Sequence, residues 1–436
     1  MRRAALPLLV CLGVLTFIAA PAQAAAGGLD PSFGVGGLVR SDITPKSDSA
    51  IGMAIQTDGK IVLVGTGGAP NSKFVVARYN TDGTPDTTGF GSGTGKVLTD
   101  LSGYRDEAIS VAIQSDGKIV VAGGVAVNGP NARWGVVRYD SDGTLDSSFG
   151  GGDGIFTIDL SKKFDEPTGI GIQSSGRIVV SGGIAADGTN PDFGVVGLTS
   201  SGALDSSFGT FGRIRTDFNS GSYDWGQGGL VVQPDDKIVV GGYTINASAP
   251  NNPLIAMARY NADGSGLDTT FSGDGKFSTD FGPYFDYLSW VAMNGTSIVG
   301  VGEAGTFGPN PKAAVLRVTS TGTLDTSFSG DGKLTNDYGP YEDFAGGVAV
   351  SGGDIITAGG VGLGGPNPRF AVSRYLSDGT PDASFGTGGN VFTDFGPNVD
   401  YANFVAIGGD GKIVAAGTSG GGSGNSKFAI ARYLSA

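Results

Sequence analysis

A phrase of the form L/P-D-x-x-F returns seven times along the chain, closing at Phe33, Phe90, Phe149, Phe208, Phe271, Phe328 and Phe385; spacings run from 57 to 63 residues and the copy at Phe90 carries one extra residue. A second phrase, close to D-G-K-I-V-V-A-G, keeps step with it and places Ile61, Ile119, Ile178, Ile238, Ile298, Ile355 and Ile413. A third ends in A-R-Y or a near variant at Tyr79, Tyr139, Tyr260, Tyr375 and Tyr433, with Leu198 and Val318 at that position in the third and fifth copies. Seven units in register restrict the chain to architectures in which one small motif stacks against copies of itself.

Each unit reads as four strands. In the second they fall at 108–114, 118–123, 133–139 and 154–159, separated by turn signals such as Ser115-Asp116-Gly117. The second strand, Ile119-Val120-Val121-Ala122, is apolar on both faces, as a sheet packed between two others requires. With 80 Gly and 20 Pro among 436 residues, yet 39% hydrophobic, the chain is turn-rich but able to fill a core. Seven four-stranded antiparallel sheets, stacked face to face, predict an all-β, seven-bladed β-propeller. The last copy holds only three strands, while residues 38–43 carry the outer-strand pattern seen at 97–101 and 391–395. The N-terminal segment 37–43 is therefore expected to complete the last blade and close the ring. Blades are expected near 48–101, 106–160, 165–217, 224–281, 286–338, 343–395 and 400–433.

The motifs Leu29-Asp30-Pro31-Ser32-Phe33-Gly34 and Leu145-Asp146-Ser147-Ser148-Phe149-Gly150, with D-G-K-I-V-V-A-G at 116–123 and F-A-V-x-R-Y at 370–375, resemble those of the delta-60 repeat proteins. The resemblance covers all seven copies. It implies a bacterial exported β-propeller of unknown function and supplies no activity, cofactor or site residue.

Export is expected from the residues as well. Met1-Arg2-Arg3, an apolar run to Ala20 and Pro21-Ala22-Gln23-Ala24 read as a signal peptide, residues 1–24, leaving a single domain over 25–436 that is secreted, periplasmic or at the cell surface and has no stable membrane insertion after cleavage. The only cysteine, Cys11, lies in the segment removed, so thiolate chemistry and disulfides are not expected. The absence of His removes Ser-His-Asp and Cys-His catalysis and His-ligated zinc. A formal charge of −13 argues against a nucleic-acid partner and suits a cationic ligand better.

Alternation along the strands places the stereotyped D-G-K and L-D-x-x-F turns on one rim and the variable loops on the other, where recognition is expected. An Asp recurs before each inner strand on the variable rim: Asp48, Asp106, Asp165, Asp224, Asp286, Asp343 and Asp400. These seven are candidates for a carboxylate ring at the channel mouth that attracts a cation or amine; the 37 Asp against four Glu equally suit carboxylates that organise turns. Tyr104, Phe164, Tyr223, Phe285 and Tyr341, beside them, are the candidate recognition aromatics. Asp140-x-Asp142-Gly143-x-x-Asp146 superficially resembles a calcium loop, but 199–202 and 319–322 lack the carboxylates, so turns are preferred and no metal or cofactor is expected. The expected function is that of a non-catalytic binding or surface-interaction scaffold for a protein, glycan or cationic ligand. The alternative is an extracellular carbohydrate-active enzyme, a glycosidase or lyase working with carboxylates such as Glu303 facing Asp286 or Asp343.

Overall fold

The computed structural model describes residues 25–129, 132–161, 165–185, 190–245, 252–422 and 424–435; the expected signal segment, residues 1–24, and Phe164 lie outside the described residues. Seven antiparallel sheets follow one another along the chain as the blades of a β-propeller. Blade 2 runs from an inner strand, Glu107–Ile113, through Ile119–Val125 and Arg133–Tyr139 to an outer strand, Ile155–Ile158. Gly117, at φ +84°, takes the left-handed position in its D-G-K turn. None of the described helices is long and apolar enough to cross a membrane.

Period-two alternation explains why the second strands are apolar throughout. Val62 and Val64 pack toward blade 2 against Ile119 and Val121, while their neighbours Ile61 and Leu63 pack the other way, against Val414 and Ala416 of blade 7. Every blade is thus the middle of a sandwich. The ring closes as the sequence predicts: Leu38–Ser41 pairs antiparallel with Lys427–Tyr433, Leu38 opposite Ala431 and Ser41 opposite Phe428.

The recurring Arg, Asp and Phe form one joint between successive blades. Arg259 donates to Asp268 at 2.8 Å, lies over the Phe271 ring at 4.7 Å and reaches the Ser320 carbonyl of the next blade at 2.6 Å. Its counterparts Arg78, Arg138, Arg317 and Arg374 do the same, and Arg432 carries the joint across the closure by bonding Asp30 and the Thr81 carbonyl. Blade 3 has Gly197 where the Arg belongs, because the Phe208 ring fills that space; Arg177, standing at the Lys of D-G-K, supplies the guanidinium instead and bonds Asp205 at 2.7 Å.

Blade 4 departs from the pattern. Its inner strand is split into Tyr223–Trp225 and Leu230–Val232, both paired with Ile238–Ile245. The break falls on Gly226-Gln227-Gly228-Gly229, where Gly229 sits at φ +65°, a conformation that interrupts a regular strand.

Candidate functional site: the channel cup

The seven recurring Asp residues start the inner strands, and all are buried, between 0% and 2% exposed. Their oxygens hold the preceding loop. Asp48 accepts from the Ile43 and Thr44 amides at 2.8 and 2.9 Å, Asp106 from Leu101 and Ser102 at 2.8 and 3.1 Å, and Asp165 from Leu160 and Ser161 at 2.9 and 2.7 Å. Asp286, Asp343 and Asp400 each bridge a loop amide (Phe281, Tyr338, Phe395) to a glycine amide of the neighbouring hairpin (Gly305, Gly362, Gly420). Asp224 accepts from the Phe218 amide and the Ser222 and Thr244 hydroxyls. Burial raises the carboxyls of Asp48, Asp224, Asp343 and Asp400 and pushes Asp286 up to about 6. These groups stitch one blade's exit to the next blade's entrance, and none of them lines the channel cavity.

The residue after each Asp stands where the ring was expected. In order these are Ser49, Glu107, Glu166, Trp225, Tyr287, Phe344 and Tyr401. A bulge two or three residues further on recurs in six inner strands, at Ala50/Gly52, Ala108/Ser110, Pro167/Gly169, Leu288/Trp290, Ala345/Gly347 and Ala402/Phe404, and the extra residue of each (Ile51, Ile109, Thr168, Ser289, Gly346, Asn403) lines the channel. Bulges re-aim side chains in this way. Opposite, the second strands carry Gly65, Gly123, Gly182, Gly242, Gly302, Gly359 and Gly417; a Cβ at any of them would overlap the carbonyl oxygen of the channel residue itself. The last Gly of D-G-K-I-V-V-A-G therefore exists to let the inner strand lean outward.

The resulting cavity is about 440 Å³ and opens toward the variable rim. Trp225, Tyr287, Phe344 and Tyr401 wall it on four consecutive blades, with Glu166 on the remaining arc. Three residues further along the strand from Tyr287, Trp290 of blade 5 lies on Gly229 of blade 4 and meets Phe404 of blade 7 edge-to-face at 4.8 Å, and so floors a cup. Burial and the neighbouring Glu107 push the Glu166 carboxyl up to about 7, while Arg105, ion-paired to Glu107, opposes the rise. Among the described residues no hydrogen bond reaches the Glu166 carboxylate.

The candidate rim aromatics divide into two groups. Tyr104 and Tyr341 are 46% and 43% exposed, each with one face on a hairpin glycine, Gly129 and Gly365. Tyr223 and Phe285 instead join a chain of rings that climbs from the cup: Trp225 to Tyr223 at 6.2 Å, Tyr223 to Tyr243 at 6.1 Å, Tyr243 to Phe285 at 4.7 Å, then Phe285 to Tyr287 at 5.8 Å and to Phe307 at 5.7 Å. Phe307 ends it at the surface, 87% exposed. Sequence reasoning missed the cup residues. Their signal was present: the position after the recurring Asp is the one that changes in kind from copy to copy.

Glu303 is 1% exposed and accepts from Tyr287 Oη at 3.0 Å and Thr306 Oγ1 at 2.6 Å. It positions a channel phenol, and burial, with Glu342 nearby, pushes its carboxyl up to about 7. Asp192, Asp217 and Asp224 bring three carboxylate oxygens within 4.8 Å of one another, but Arg215 already neutralises Asp192, and Ser222 and Thr244 bond Asp224. In Asp140-x-Asp142, Asp142 accepts from the Thr144 amide and hydroxyl and Asp140 pairs with Lys118, so both carboxylates serve the turn.

The raised acids give a stability profile with a definite sign. A carboxyl whose folded pKa exceeds its unfolded one stabilises fully below about 4.5, and that contribution is lost as pH rises through the folded value. For Glu303 the loss amounts to at most about 3 kcal/mol. The joint carboxylates act oppositely: Asp86 and Asp268, held near 2 against burial by Lys60 and Arg78 and by Thr270, Lys237 and Arg259, lose their contribution as pH falls below about 4. Thermal unfolding is expected to peak near pH 4.5 to 5, and Glu303→Gln to shrink the fall in Tm between pH 5 and pH 8 relative to the unaltered chain.

No curated protein matches this sequence. Among solved structures, the chain is similar to a catalytically inactive variant of virginiamycin B lyase from Staphylococcus aureus determined with quinupristin, at 14% identity and a TM-score of 0.52, covering 91% of this chain and 99% of that one. A streptogramin B lyase aligns at 15% identity and a TM-score of 0.48, over 91% and 97% of the two chains. Likeness at this level concerns the fold. The sequence itself is more specific: the model described as "Domain of unknown function (DUF5122) beta-propeller" matches residues 56–88, 114–149, 173–208, 233–271, 297–328, 353–385 and 408–435, more than half of the chain in seven segments in step with the blades, and the chain belongs to that family.

Proposed function

We propose that this chain is an exported, non-catalytic binding module that takes its ligand in the channel cup on the variable rim, and that it is one of the delta-60 repeat proteins its motifs resemble. One observation carries the reading. Positions the fold constrains are alike in nearly every blade, whereas the ring after the Asp is sorted by sector: carboxylates on blades 2 and 3, aromatic rings on blades 4 to 7. A stack of equivalent blades has no structural need for that asymmetry, and convergent aromatic and polar groups in one concave cavity are what ligand sites are made of.

The rival reading, a carbohydrate-active enzyme, draws on Glu166, whose carboxyl near 7 suits proton transfer. Against it, the proposed acid pair is absorbed elsewhere: Glu303 holds Tyr287 and Thr306, and Asp286 holds two amides. The inactive lyase carries alanine in place of a histidine, and this chain has no histidine with which to perform a comparable step. A glycan and small-amine array run beside a reducing-sugar release assay separates the two. The expected result is binding without turnover, lowered about tenfold or more by Trp225→Ala, as loss of an aromatic anchor predicts. Turnover that disappears in Glu166→Gln overturns the binding-module reading.

A further inference from the structure

We infer that the cup receives the ammonium group of an organic cation, ringed by Trp225, Tyr287, Phe344 and Tyr401 and neutralised by Glu166; this rests on the cup being the binding site. Among the described residues, Glu166 is the only charged side chain lining the cavity, and no cationic side chain among them lines it. Arg105, the one cation among the described residues that acts on it, is paired with Glu107. A partly buried carboxylate with no ion-pair partner among the described residues is costly, and a ligand cation removes that cost. The facing wall is lined by aromatic rings, and a ring's quadrupole attracts a positive centre over its face.

A neutral sugar fits the lining less well, because it needs free hydrogen-bonding partners. Thr168 Oγ1 donates to the Gly226 carbonyl at 2.5 Å, Asn403 Nδ2 to the Ala50 carbonyl at 2.8 Å, and the Ser49 hydroxyl pairs with Thr418 at 2.9 Å. Three of the cup's neutral polar side chains are therefore already engaged with the protein. The cavity of about 440 Å³ admits a trimethylammonium-sized head with its tail leading out along the rings toward Phe307. The same head is offered by a free small amine or by a modified lysine of a peptide.

Two of the three tryptophans, Trp225 and Trp290, line the cup, and the third, Trp134, is buried between blades 2 and 3, so intrinsic fluorescence reports the site directly. Choline, a peptide carrying trimethyllysine, and the uncharged isostere 3,3-dimethylbutan-1-ol are titrated into the full chain at pH 8. Choline or the peptide is expected to change the fluorescence at least about tenfold more tightly than the isostere, the factor that about 1.4 kcal/mol of charge recognition gives. The better of the two identifies the source of the head group. Glu166→Gln is expected to lower that preference severalfold, the aromatic rings retaining the remainder. An isostere that binds as tightly as choline and the peptide overturns the ammonium inference and leaves the cup standing as an apolar site. A cup that answers none of the three probes, but binds a glycan on the array in a Trp225-dependent way, also overturns it while sparing the binding-module reading; silence from every probe overturns both. The isostere comparison on the unaltered chain decides the question even if a variant fails to fold.

Discussion

A chain lacking residues up to 43 is expected to lose its cooperative thermal transition, with near-complete loss of the folded signal at 37 °C by circular dichroism. Three bonds of the ring go at once. The outer strand Leu38–Ser41 no longer covers Lys427–Tyr433, Phe33 leaves the core between blades 7 and 1, and Arg432 loses Asp30. Burial of a Phe alone is worth about 3–5 kcal/mol, and a domain's entire margin is about 5–15 kcal/mol. Shortening a variable-rim loop by a few residues is expected to shift Tm by only a few degrees. Val39→Pro gives a milder version, because proline withdraws an amide from the closing strand. A truncated chain that keeps its transition within about 5 °C of the full one would mean that blade 7 is stable with an open edge.

The second large effect comes from a methyl group. Gly359→Ala is expected to destabilise the protein by about 3 kcal/mol, read as a lower denaturation midpoint with an unchanged slope, because the new Cβ would overlap the Phe344 carbonyl oxygen and meet the Ala345 backbone behind it. The obstacle is main chain, which has no rotamer with which to retreat. Relief requires straightening the inner strand of blade 6, so Phe344 also swings out of the ring, and ligand capture should fall along with stability. Gly362→Ala, in the same strand but at an open position where a Cβ meets nothing within 4 Å, is the control; its cost comes only from φ +73°. A Gly359→Ala chain no less stable than the control would remove the bulge from the account of how the cup is shaped.

The blade count, the strand order and the closing strand were legible because they rest on period-two alternation and on turn residues, which act locally. The joint between blades was half legible: the A-R-Y and L-D-x-x-F phrases recur in step and so supply its Arg, Asp and Phe, while the exchange of Gly197 for Arg177 needed the geometry of Phe208. The cup was hidden by one residue. Recurrence drew attention to Asp48 and its six counterparts, yet recurrence marks what every blade needs to fold, and these carboxylates serve loop amides. In a strand the next residue faces the other way, so Glu166, Trp225 and Tyr401 point into the channel. The Trp290–Phe404 floor skips a whole blade, a contact between side chains 114 residues apart that exists only once the ring is assembled.

The closure also brings residues 27–28 and 434 together on one face. The Gly27 amide donates to the Leu434 carbonyl at 2.8 Å and the Leu434 amide to the Gly28 carbonyl at 2.9 Å, beside the stereotyped turns. Gly27 and Leu434 therefore lie together on the face opposite the cup. Held by that face, the disc would turn its aromatic mouth outward, toward whatever passes in solution.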